Sequence, residues 1–245
     1  YLGVVNVITR TPGEKPRLEA RVDAGSFGTR TGHLAWYGHP RPGVGLALGG
    51  SYRDSDGPDL YFPEFDTPET GGGRARGLNG DKAGIGFVDA TWRDFRLEAR
   101  GQWRDKDIPT GIYETAFGDP RTMTRDASGY VDLRYDHLGA AADRFVGRLA
   151  LSGSDYTGEY AYARPDSTGN YVQSDFGRGN WLTANAQYAR TTHRHNLLFG
   201  AEFVRNLSLH QATWDEYGSY IDDRHRSTSG GLFAQDDFPL AARLR

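Results

Sequence analysis

Phe95, Leu97, Ala99, Gly101 and Trp103 alternate with Arg96, Glu98, Arg100, Gln102 and Arg104. A period of two sends the first set to one side of an extended chain and the second to the other, so this stretch predicts a strand with one apolar and one charged face. Val44, Leu46, Leu48, Gly50 and Tyr52 repeat the pattern against Gly45, Ala47, Gly49, Ser51 and Arg53. So do Val131, Leu133 and Tyr135 against Asp132, Arg134 and Asp136, and Leu182, Ala184, Ala186 and Tyr188 against Thr183, Asn185 and Gln187. Leu197, Phe199, Ala201 and Phe203 alternate with Asn196, Leu198, Gly200 and Glu202, where Leu198 breaks the rule. Segments of about 10–13 residues recur from residue 17 onward, the length of a membrane-crossing strand. Strands are expected to start near Arg17, Thr29, Val44, Ala83, Phe95, Ala127, Arg144, Gly179, His195 and Ser227.

The connections alternate in length. Short turns are expected near His39–Gly43, Arg93–Asp94, Leu138–Asp143 and Thr191–Arg194, and long polar connections near Ser55–Asp81, Lys106–Asp126, Thr157–Arg178 and His210–Arg226. The first hairpin, near Gly25–Gly28, is short where a long loop is due. Such long loops are uncommon in compact soluble domains, whereas an outer-membrane barrel has short periplasmic turns and longer extracellular loops. In that frame Trp36, Tyr37, Trp92, Phe95, Tyr135, Phe145 and Tyr188 fall at the periplasmic ends of their strands. Tyr52, Trp103, Tyr130, Tyr156 and Trp181 fall toward the outer ends. Two such rows are the aromatic girdles of a membrane barrel, although aromatics are also good strand formers anywhere.

Composition sharpens the picture. The chain has 33 Gly, 14 Tyr and 12 Phe but one Met, which favours an all-β architecture over a helical one. The mean hydropathy of −0.66 does not exclude a membrane barrel, because only alternate residues need be apolar. The absence of cysteine excludes disulfides, thiolate metal sites and a cysteine nucleophile. A net charge of −3 argues against a nucleic-acid partner. No stretch is long and apolar enough for a membrane helix. No signal peptide opens the sequence, so an exported chain of this kind is expected to be a fragment or a matured product.

Gly3-Val4-Val5-Asn6-Val7-Ile8-Thr9-Arg10-Thr11-Pro12 resembles the end of the plug domain in TonB-dependent outer-membrane receptors. Gly25-Ser26-Phe27-Gly28, Ser51-Tyr52-Arg53-Asp54-Ser55-Asp56-Gly57 and Leu232-Phe233-Ala234-Gln235-Asp236-Asp237 are similar to barrel segments of that family in the same order. The resemblance implies an all-β fold, an antiparallel up-and-down transmembrane β-barrel segment of about ten strands from a larger barrel. Residues 1–16 would be the end of the plug and a linker, and residues 17–245 the N-terminal part of the barrel. It also implies energised, TonB-linked uptake of a scarce bulky nutrient, such as a ferric siderophore or a cobalamin-like complex, at the bacterial outer membrane. Outer-membrane lipid, the TonB complex and a metal-chelate or other nutrient ligand would be the partners, with no enzyme activity and no cofactor. Residues 1–245 alone are expected not to close into a transporting barrel, since the strand near Arg17 would have to pair with that near Ser227. A passive porin, a barrel hydrolase using His210, His225, Asp222 or Asp223, and a soluble carbohydrate-binding β-protein remain as alternatives.

Among candidate sites, Asp54–Asp59 has part of a calcium loop's oxygen spacing but lacks its later Glu, so turn chemistry is favoured. His193 and His195 flank Arg194 without a third ligand nearby, so a solvated turn is favoured there. The ionic rows, such as Arg96, Glu98, Arg100 and Arg104, are read as a polar interior wall. The ligand candidates are loop aromatics: Tyr61, Phe62 and Phe65, extended by Tyr113, Phe117, Trp214, Tyr217 and Tyr220. Their packing on one another is an equal reading. Carboxylates outnumber Lys and Arg in each long connection, which disfavours a strongly anionic ligand at the rim.

Overall fold

The structure is a computed structural model that describes residues 15–139, 143–166 and 168–239; the Gly3–Pro12 motif lies outside the described residues. In chain order its strands are β1 (Arg17–Ala24), β2 (Arg30–Arg41), β3 (Val44–Ser55), β4 (Leu60–Tyr61), β5 (Arg74–Ala75), β6 (Asp81–Trp92) and β7 (Phe95–Asp107). The chain continues through β8 (Met123–Leu138), β9 (Asp143–Ala163), β10 (Asn170–Thr191), β11 (Asn196–Asp215) and β12 (Gly218–Asp237). Ten of them form one sheet in which each strand pairs antiparallel with its sequence neighbours, β4 and β5 making a separate two-stranded ribbon in the loop between β3 and β6. The fold is therefore an up-and-down β-barrel segment, with β1 and β12 at opposite edges. No described helix is long and apolar enough to cross a membrane.

The alternation read from β7 holds across the sheet. Leu48, Val88, Ala99, Val131 and Leu151 stand directly opposite one another on successive strands, all on one face. This face has no described layer over it. Val131 is 48% exposed and Leu151 50%, and the buried residues of the sheet are mostly small, such as Ala35, Ala47 and Ala150. A soluble sandwich would bury such a face against a second sheet. Apolar area of this extent left bare demands an apolar surrounding. Two aromatic rows bound it. Trp92 stacks on Phe95 at 6.1 Å, Phe95 lies 4.9 Å from Tyr135, and Tyr135 lies 6.0 Å from Phe145. At the other end Tyr52 meets Trp103 at 6.1 Å.

Between these rows Gly50, Gly86, Gly101, Gly129 and Gly153 fall opposite one another on five consecutive strands. With no side chains along this line, the apolar face is creased by a trough of about 1160 Å³ walled by Leu48, Val88, Val131 and Leu151. The opposite face is stapled by ion pairs. Arg104 binds Asp81 through two bonds of 2.9 and 2.8 Å, Arg144 binds Asp136 at 2.8 and 2.7 Å, Arg96 reaches Asp89 at 2.5 Å, and Arg148 bonds Asp132.

Several sequence expectations change. Tyr37, Tyr130, Tyr156 and Trp181 are not girdle residues: Tyr130 pairs with Arg100 and Ser152, Trp181 with Ser152, and Tyr156 with Asp126, all on the polar face. Tyr37 pairs with Ala47 and shares that face. Distance from a strand end sets height, but parity sets the face. The long connection expected at His210–Arg226 is instead strand, with β11 and β12 joined at Glu216-Tyr217. Likewise β9 and β10 extend into Thr157–Arg178, leaving only residues 164–169 as a connection. Backbone pairing there continues past the apolar band, where neither face needs to be apolar.

Candidate functional site

β9 and β10 outlast the apolar band. One residue pair beyond Gly153 on the apolar side stands Asp155, ion-paired to Arg178 at 2.8 Å, so the strands leave the apolar layer at this height. On the opposite side the same extension carries Tyr156, Tyr160 and Tyr162 from β9 and Tyr171 from β10. Strand spacing brings them together: Tyr162 is paired with Tyr171, their rings 5.8 Å apart. Tyr217, in the β11–β12 turn, meets Tyr171 edge-on at 5.1 Å, and Tyr113 from the β7–β8 loop meets Tyr160 edge-on at 6.0 Å.

Gly158 explains how the cluster is held. It lies between Tyr156 and Tyr160 on the same face, and a Cβ there would come within 2.5 Å of the Tyr160 ring and 2.6 Å of the Tyr156 hydroxyl. The two phenols therefore fold over the missing side chain and share a hydrogen bond. Tyr160 is buried. Burial first, then its bond with Tyr156 and the charge of Asp175, holds the Tyr160 phenol well above its ordinary range. Asp175 stands directly opposite Gly158 on β10. Its Oδ1 is buried and, among the described residues, has no hydrogen-bond partner. Arg164 is engaged by Glu216 through both guanidinium nitrogens.

The surrounding loops are pinned by specific contacts. Phe65 stacks on Phe117 at 4.4 Å and Phe62 meets the same ring edge-on at 5.8 Å, which ties the β3–β6 loop to the β7–β8 loop. Asp119 accepts bonds from Arg121 and, at 2.9 Å, from the Asn170 amide, tying the latter loop to β10. Those bonds hold its carboxyl well below the usual carboxylate range, the Arg121 guanidinium contributing most.

Of the residues singled out from sequence, Tyr113 and Tyr217 enter the tyrosine cluster. Phe62 and Phe65 are spent on packing loop to loop. Tyr61 bonds Asp66 of its own loop at 2.8 Å and lies under Arg74. Tyr220 bonds Asp215 at 2.8 Å. Trp214 pairs with Ser174 and so stands on the other face from Asp175. Sequence reasoning missed Tyr156, Tyr160, Tyr162, Tyr171 and Asp175; the spacing Tyr156-x-Gly158-x-Tyr160 is the signal that marks them. Asp59 Oδ1 accepts from the Gly77 amide at 3.0 Å and His195 pairs with Asp236 at 2.7 Å, both turn or strand-end contacts. Among the described residues no three His, Cys, Asp or Glu side chains converge as for a metal ion.

No family model matches the chain, and no curated protein matches it. Among solved structures, the ferric yersiniabactin uptake receptor FyuA from Yersinia pestis aligns at a TM-score of 0.47 and 15% identity, over 96% of this chain and 46% of that one. The chain thus spans about half the length of that receptor.

Proposed function

We propose that this chain is wall and outer vestibule of an outer-membrane receptor of the TonB-dependent type, which takes up a scarce bulky nutrient such as a ferric siderophore or a cobalamin-like complex. The observation that carries the reading is a ten-stranded meander whose bare apolar face is bounded by aromatic rows while its strands run on, beyond that band, carrying a cluster of tyrosines on the polar face. The apolar face meets lipid, and the polar face lines the lumen. The plug-like Gly3–Pro12 motif supports the energised type over a passive pore. Such a receptor does no covalent chemistry, so binding at the outer vestibule and directed release into the lumen are all the wall has to supply.

The test is uptake by cells that make the full-length protein. A labelled ferric siderophore or cobalamin should accumulate above its outside concentration, and a protonophore should abolish that accumulation. Entry that proceeds unchanged with the protonophore present makes the barrel a passive pore.

A further inference from the structure

The line of Gly50, Gly86, Gly101, Gly129 and Gly153 on the apolar face is continued on β10 by Asn180, which pairs with Gly153. The trough along it ends at Leu34, opposite Gly50, and at Leu207 on β11. Barrel strands cross a membrane at a tilt of ~40°, so a line perpendicular to them climbs. Five strand spacings of ~4.8 Å make this line about 24 Å long and about 15 Å high, the depth of one leaflet. The charges show which end is up. On this face the first charged residue beyond the line is four positions on at Asp54, Lys82, Asp105 and Arg125, but only two on at Asp155 and Arg178. The trough therefore starts deep in the apolar layer at β3 and reaches its outer edge at β10. At that upper end Asn180 leans over Gly153, where a Cβ would come within 2.6 Å of its Oδ1. Among the described residues its side-chain amide makes no hydrogen bond. A polar group in an apolar layer calls for a partner.

We propose that the crease is a binding site for one ester-linked acyl chain of an outer-leaflet lipid, with the Asn180 amide donating to the ester carbonyl. This rests on the reading of the wall as membrane-spanning. The chain enters at the β10 end, where the layer meets water, and runs down the glycine line toward Gly50. Half of a ~30 Å hydrocarbon core is about 15 Å, so a chain of that reach fits within the crease. Leu48, Val88, Val131 and Leu151 wall it along one side, and Trp103 and Tyr52 along the other. The missing side chains let the chain touch backbone, which gains dispersion contacts that a smooth wall does not offer. A second copy is a poorer occupant. A two-fold axis along the membrane normal would lay the partner's ridge of leucines and valines across the crease at roughly 80°, filling it at one point only.

The experiment titrates the full-length protein in detergent with dipalmitoyl phosphatidylethanolamine and counts bound lipids by native mass spectrometry. One lipid should bind well ahead of the rest. Gly101→Phe puts a ring into the crease at a position where a Cβ meets nothing within 4 Å, and should weaken that first lipid by about five- to a hundredfold. Asn180→Leu keeps the bulk and removes the amide, and should weaken it by about two- to tenfold. The ether-linked analogue, which lacks the carbonyl, should bind the parent about as weakly as the ester binds Asn180→Leu. Leu133→Phe, on the same face but in the inner half, should leave the affinity unchanged. Should Gly101→Phe lose heat-modifiable migration on a gel and so fail to fold, Asn180→Leu and the ether analogue decide. A first lipid no tighter than the second overturns the proposal, as does an affinity unchanged from the parent in either folded variant. Dimers that Gly101→Phe dissolves, with lipid binding unaltered, overturn it too and make the crease a contact between copies. None of these results touches the uptake reading, which fails only on energised accumulation.

Discussion

Leu151→Arg separates a lipid-facing wall from a merely exposed sheet. Leu151 shares a row with Val131 and Ala99, and Ala99 stands four residues from Phe95 and four from Trp103, in the two aromatic rows. At ~3.3 Å per residue and a ~40° strand tilt, that row lies roughly 10 Å from each girdle, near the middle of a ~25 Å apolar band. An arginine there should cost about 2–4 kcal/mol of folding free energy in lipid, falling to about 0–1 kcal/mol at the girdles. On a soluble surface the same change at a half-exposed leucine stays within about 0.5 kcal/mol. Urea titration of the full-length protein in phospholipid vesicles, followed by tryptophan fluorescence, measures the difference. Ser154→Arg on the polar face of the same strand is the control and should change stability by less than about 1 kcal/mol. Equal, small effects at positions 151 and 154 would refute the lipid-facing assignment.

The glycine line makes a contrasting pair. A Cβ at Gly101 meets nothing within 4 Å, whereas one at Gly129 comes within 2.7 Å of the Arg100 carbonyl oxygen; Gly101→Ala should be near neutral and Gly129→Ala should cost about 1–3 kcal/mol in the same titration. For Arg148 and Asp132, a double-mutant cycle to Gln and Asn should give a coupling of about 1 kcal/mol, the guanidinium being about half exposed (48%); a coupling of zero removes the pair as a staple. The Asp119 carboxyl has a lowered pKa, so its contribution is present above the unfolded value and is lost only as pH falls through the folded one. Hydrogen exchange should therefore show residues 119–122 as protected at about pH 4 as at neutrality, and Asp119→Asn should expose them at both.

What could be read from the sequence follows from where lipid imposes a rule. In β7 the apolar band demands strict alternation, so Phe95 to Arg104 declares both strand and face. Past Asp155 and Arg178 no face is constrained, and Ser174-Asp175-Phe176 carries no periodic signal although it is paired strand. That is why β9 to β12 run longer than expected. The tyrosine cluster was hidden for a related reason. Tyr156 reads as a girdle residue and Tyr160 as part of a polar loop, and their placement near Asp175 depends on the pairing of Gly158 with a residue 17 positions later. The loop aromatics were visible as residues, yet Phe62 and Phe65 turn out to hold loops together, a role that composition does not distinguish from binding.

A strand displaced by two residues keeps every apolar side chain on the lipid side, so hydrophobicity alone cannot tell the native alignment from its nearest mistakes. The line of glycines can. In a displaced β7–β8 pair Gly101 would face Ala127 or Val131 instead of Gly129, and the crease would close. The Phe95 and Tyr135 rings, which face each other across this pair, would part in the same slip. These two lines act as alignment marks printed across neighbouring strands. They give an assembling wall a way to reject an offset that its alternating pattern would accept.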